Sequence, residues 1–85
     1  MPSTPIPSAM PRNKSDKLVY MANQIGIFFR SQGEGDAIKG VAEHLRKFWD
    51  PRMRDAILRH LDAGGEGLDP IPRQAVEMLK IQSGQ

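Results

Sequence analysis

The chain has 85 residues, no cysteine, and 12 Lys+Arg against 10 Asp+Glu, a formal net charge of +2. These values exclude a disulfide framework, a thiolate metal site and a thiol nucleophile. So small a positive charge, interspersed with acids, is not the footprint of a nucleic-acid binder. At this length the chain is one domain at most, with a core of marginal stability, so a partner is expected to supply what the core lacks.

The first segment, Met1 to about Lys14, carries Pro2, Pro5, Pro7 and Pro11 among Ser and Thr. Proline removes backbone donors and favours extended conformers, so residues 1–14 read as a disordered leader. It has no apolar h-region, and nowhere does the chain approach the ~18 apolar residues that cross a bilayer. The expectation is a soluble cytoplasmic protein with no membrane contact.

Four helices follow. The spacing predicts the first over about 16–31, capped by Ser15 or Asp16, with Leu18, Met21, Ala22, Ile25, Phe28 and Phe29 in one apolar stripe. The second, about 36–49, starts at Gly35-Asp36 and aligns Ile38, Val41, Ala42, Leu45, Phe48 and Trp49 against a polar face of Lys39, Glu43 and Lys47. Glu43 and Lys47 stand in the favourable i,i+4 order, but such a pair contributes only ~0.2–0.5 kcal/mol, so packing must hold this helix.

The third helix, about 51–63, opens sharply at Asp50-Pro51, because Asp50 can accept from the free amides of the first turn and Pro51 has no amide to leave unpaired. It stops at Gly64-Gly65, where glycine takes the left-handed conformation that a Cβ penalises. Arg52, Asp55, Arg59 and Asp62 alternate on its solvent face. The fourth, about 70–81, repeats the opening at Asp69-Pro70, and Arg73, Ala75 and Val76 stand at the offsets of Arg54, Ala56 and Ile57. Residues 82–85 should fray. The fold class that follows is all-α: a small bundle of about four short helices forming a single helical domain, 15–81, behind a proline-rich tail.

No group of residues is arranged for catalysis. His44 and His60 lie on different helices without a second ligand in helical register, so each reads as a core-edge histidine and not a metal ligand. Glu43 and His44 are adjacent and point about 100° apart, which prevents an acid–base dyad. Gly64-Gly65-Glu66-Gly67 follows a helix and lacks the Gly-Lys-Ser/Thr ending of a phosphate loop. The aromatic residues lie on helical stripes, as core residues do, and not as base-stacking platforms. The chain is expected not to be an enzyme by itself and to bind no cofactor.

Some side chains are left over. Tyr20 and Ile27 fall opposite the Leu18/Ile25/Phe29 stripe, together with Asn23 and Gln24, and an aromatic with a polar tip beside adaptable amides suits an interface centre. Arg54 projects between the Ile57/Leu61 edge and Leu58. Its stem snorkels over its neighbours, or its guanidinium meets a carboxylate on another chain or stacks on Trp49.

Met21-Ala22-Asn23-Gln24-Ile25, the run His44-Leu45-Arg46-Lys47-Phe48-Trp49-Asp50-Pro51-Arg52-Met53-Arg54, and Gly64-Gly65-Glu66-Gly67-Leu68-Asp69-Pro70 together resemble the delta subunit of NAD-dependent, molybdenum-containing formate dehydrogenase. The resemblance covers about Lys17 to Leu79 and leaves out the proline-rich tail. It implies a non-catalytic accessory subunit of a soluble bacterial complex, associated with assembly and stability of the holoenzyme. Molybdopterin, iron–sulfur clusters and FMN are then expected in the partner subunits, the large molybdopterin-binding subunit first among them. On that reading Asp50, Pro51, Asp69, Pro70, Gly64 and Gly65 set the helix ends, while Tyr20, Asn23, Gln24, Ile27, Trp49, Arg52 and Arg54 are the interface candidates. Two other readings compete. One is a nucleic-acid-binding domain that uses Arg52, Arg54, Arg59 and His60 despite Asp55 and Asp62. The other is a self-associating bundle that covers Tyr20 and Ile27 as a homodimer.

Overall fold

The computed structural model describes residues 14–82 and places them in four α-helices and one 3-10 turn: α1 Lys14–Phe29, the turn Arg30–Gln32, α2 Glu34–Phe48, α3 Pro51–Asp62 and α4 Pro70–Gln82. There is no strand among the described residues, and the fold is all-α. The leader expected over 1–14 lies outside the described residues except for Lys14, the first residue of α1. Of the expected frayed end, 83–85 also lie outside, while Gln82 closes α4.

The helix ends differ from the periodicity reading for local reasons. α1 begins ahead of Ser15 and Asp16, which puts the Asp16 carboxylate inside the first turn, where it meets the positive end of the helix dipole. Its far end tightens into the 3-10 turn and stops at Gly33, whose φ of 97° is open to glycine. Gly33, and not the Gly35-Asp36 pair, starts α2: its carbonyl accepts from the Ala37 amide at 2.8 Å, and Glu34 and Asp36 fill the acidic first turn. α2 ends at Phe48, one residue earlier than the stripe suggests, because Trp49 leaves the helix with φ −86° and ψ 138°.

The core gathers Leu18 and Ala22 from α1, Val41, Ala42 and Leu45 from α2, Trp49 from the junction, Ile57 from α3, and Ala75, Val76 and Leu79 from α4. A Val, Leu or Ile side chain buried this fully stabilises the fold by roughly 1.5–3 kcal/mol. α2 packs most extensively on α4, and α1 lies against each of the other three helices. Glycine allows two of these approaches. A Cβ on Gly26 would stand 2.9 Å from Cδ of Pro72, and one on Gly40 2.7 Å from the Phe29 ring. Two aromatics assigned to the stripes are not in the core: Phe28 and Phe48 are 74% and 71% exposed.

Candidate partner-docking surface

The junction between α2 and α3 is built from three adjacent motif residues and one arginine. Asp50 has the extended backbone of an N-cap, φ −77° and ψ 169°, and its Oδ1 accepts from the Met53 amide at 2.9 Å, with Pro51 in the first turn of α3. From that first turn Arg54 reaches back. Its guanidinium donates to the Arg46 carbonyl at 3.2 Å and to the Trp49 carbonyl, so a cation binds the negative end of α2. Arg54 therefore links two helices inside this chain. None of the three fates weighed for it from sequence included backbone carbonyls.

Trp49 requires a correction as an interface candidate. The extended residue after α2 turns its side chain inward, and at 4% exposure the indole belongs to the core instead of a surface. Arg52 is exposed on α3, beside Asp55, Ala56, Arg59 and Ser15 of α1. Arg59 itself pairs with Asp55 at 3.0 Å.

The turn before α4 is held from three sides. Gly64 and Gly65 adopt φ of 123° and 65°, and the Gly65 amide donates to the His60 carbonyl at 2.9 Å, closing the end of α3. Arg73 donates to the carbonyls of Gly64 at 3.0 Å and Gly65 at 3.2 Å, while Nε2 of His60 donates to the Glu66 carbonyl at 2.7 Å. Asn23 braces the far side through both ends of its amide. Nδ2 donates to the Gly67 carbonyl at 2.9 Å, and Oδ1 accepts from the Asp69 amide at 2.9 Å. At Asp69-Pro70 the backbone carries the start of α4, with the Asp69 carbonyl accepting from the Arg73 amide at 2.9 Å. Asn23 and Arg73 thus act within the fold, and neither role has a local signal in the sequence.

What remains on the outer side of α1 is Tyr20 at 50% exposure, Ile27 at 48%, and Gln24 between them. Ile27 forms one wall of a groove of about 540 Å³ between α1 and the start of α4, opposite Pro70, Ile71 and Pro72, with Arg30 and Glu34 also in its lining. This surface combines an apolar pair, a polar aromatic tip and a flexible amide, the composition that lets a partner exclude water while keeping hydrogen bonds.

A second exposed surface lies outside the predicted set. Phe28 meets Phe29 edge-on with centroids 5.2 Å apart, Phe29 meets His44 at 6.3 Å, and His44 meets Phe48 at 4.8 Å. The rings form one row across α1 and α2. A signal for half of it was present: Phe28 and Phe29 are adjacent, so their side chains diverge by about 100° and both cannot face one core.

Among the described residues there is no group of three or more His, Asp or Glu placed to hold a metal ion, and no helix is long and apolar enough to cross a membrane. Residues 17–76 match the family described as NADH-dependent formate dehydrogenase delta subunit FdsD. No curated protein matches the chain, and no solved structure does.

Proposed function

The chain belongs to the delta-subunit family of NADH-dependent formate dehydrogenase, and from that premise we propose that it is a non-catalytic accessory subunit supporting assembly or stability of the holoenzyme through protein–protein contact. The partner in this reading is the large molybdopterin-binding subunit. The molybdopterin, iron–sulfur clusters and FMN belong to the partner subunits.

The observation that carries the reading is the pair Tyr20 and Ile27, about half exposed on one side of α1 beside a groove walled by Pro70 and Ile71. A bundle this small has no second core to receive them, and covering apolar surface is favourable in proportion to the area removed from water. Gln24 supplies hydrogen bonds at the same place. Arg52 stands on a separate face and belongs to the rim of such a contact at most, where a charge contributes little.

The test is co-purification. A tagged chain expressed with the complex is expected to retain the large subunit, and Tyr20→Ser combined with Ile27→Ser is expected to lose it while keeping the wild-type melting midpoint. Undiminished capture by the double variant removes this face from the interface.

A further inference from the structure

A groove of about 840 Å³ runs between α2 and α4, on a different side of the bundle from Tyr20 and Ile27, and α1 contributes nothing to its lining. Ile38, Ala42 and Met78 line it with Ile81, which at 75% is the most exposed large apolar side chain among the described residues. Lys39 stands on the α2 rim and Glu77 on the α4 rim, both exposed. We propose that a second copy of the chain closes this groove with its own, in a dimer whose two-fold axis lies between α2 and α4 and parallel to them, so that Lys39 of each chain meets the partner's Glu77.

The charges on the two rims single out this occupant. Among the described residues neither Lys39 nor Glu77 has an ion-pair partner, whereas Glu43, the other acid on the groove, is already held by Lys47 at 3.3 Å and Arg46 at 3.8 Å. A face that carries one free cation on one rim and one free anion on the other is complementary to itself. A two-fold axis along the groove sets each α2 against the partner's α4, which is the arrangement that pairs the opposite charges twice. A helix from an unrelated chain would have to bring both an acid and a base at the same spacing, and the second copy carries them already.

The levels along the two helices agree with this pairing. α2 and α4 start at the same end of the bundle, since Glu34 and Pro70 line one groove there. Lys39 is five residues beyond Glu34 and Glu77 seven beyond Pro70, so the two charges differ in level by ~3 Å at ~1.5 Å per residue. A lysine side chain spans that offset easily. By the same count Ile81 comes within one turn of the level of Ala42, and the partner's Ala42, with only a methyl group, leaves the hollow into which Ile81 fits. The contact then has an apolar centre and a charged rim, the ordinary anatomy of a protein interface. It also adds buried apolar surface to a domain whose own core is small.

Sedimentation equilibrium of the purified full chain across a wide concentration range tests the proposal. The expected result is a concentration-dependent rise from the 9.5 kDa of one chain to twice that mass. Lys39→Glu and Glu77→Lys each set like charges against one another, and each is expected to raise the dimer Kd at least about tenfold. The combined variant Lys39→Glu/Glu77→Lys is expected to return Kd to the unsubstituted value, which only a contact between these two positions does. All three variants alter exposed side chains, so their helical circular dichroism stays unchanged. A single-chain mass at every concentration overturns the proposal and leaves the groove to another protein. A dimer that ignores both reversals but dissociates on Tyr20→Ser/Ile27→Ser or Phe28→Ser/Phe48→Ser overturns it too, because the copies then meet elsewhere. No partner subunit is present in these measurements, so their outcome is independent of docking through Tyr20 and Ile27.

Discussion

Asn23 and Asp69, 46 positions apart, are joined by a 2.9 Å hydrogen bond from the Asp69 amide to Oδ1 of Asn23. The other end of the same side chain donates to the Gly67 carbonyl at 2.9 Å. One carboxamide thereby ties α1 to both sides of the residue Leu68, whose side chain is buried. Removing it leaves a donor and an acceptor to find water at a partly covered site. Asn23→Ala is expected to cost about 1–2 kcal/mol in urea unfolding of the isolated chain. Asn23→Asp is expected to cost no less, because a carboxylate has no donor for the Gly67 carbonyl. Coincident unfolding curves for Asn23→Ala and the unsubstituted chain would show that the clamp contributes nothing.

Asp50 is a simpler case. Its side chain satisfies one orphan amide at the start of α3, that of Met53. Asp50→Ala is expected to lower stability by about 1 kcal/mol, and Asp50→Asn, which can still accept, by less. Thermal melts followed by circular dichroism measure both. Identical loss in the two variants would assign the effect to charge instead of capping.

The contrast between these residues shows what the amino-acid sequence makes legible. Helices announce themselves by apolar spacing, and Asp50-Pro51 marks a boundary because cap chemistry is local and acts within three residues. The Asn23 clamp joins segments 44 and 46 positions apart, so nothing near Asn23 encodes it. Periodicity also fails at helix ends. Phe48 and Trp49 both continue the apolar stripe of α2, but Trp49 leaves helical geometry and turns inward, while Phe48 lies at the last helical residue with 71% of its surface exposed. A 100° step predicts a direction only while the helix lasts. Of the surface residues, Tyr20 and Ile27 were readable because they lie mid-helix, opposite a clear stripe.

Gly26 is expected to resist even alanine. Ordinarily a glycine in mid-helix costs ~0.5–1 kcal/mol relative to alanine, so its replacement should stabilise. Here the added carbon meets Cδ of Pro72 at 2.9 Å and Cγ at 3.3 Å, and a proline ring has no rotamer by which to move away. Pro72 is itself fully buried. The overpacking term of about 1–3 kcal/mol then exceeds the propensity gain, and Gly26→Ala is expected to lower the urea midpoint. A raised midpoint would mean that α1 and α4 separate freely at this crossing.

Arg54 provides the sharpest test of structural against interfacial roles. Its position in the most distinctive motif suggests a contact with another chain, whereas its guanidinium donates to the Arg46 and Trp49 carbonyls at the end of α2. Charged donors on otherwise unpaired helix-end carbonyls contribute more than neutral ones, and Arg54→Ala is expected to destabilise the isolated chain by about 1–2 kcal/mol. Arg54→Lys should recover part of this, since both bonds leave from the single nitrogen Nη1 and an ammonium also carries more than one donor on one nitrogen. Urea unfolding and co-purification with the large subunit, measured on the same variants, distinguish the roles. If the fold is what Arg54 serves, stability falls first and capture weakens only in proportion. An Arg54→Ala chain that unfolds like the unsubstituted one yet no longer retains its partner would return this residue to the interface.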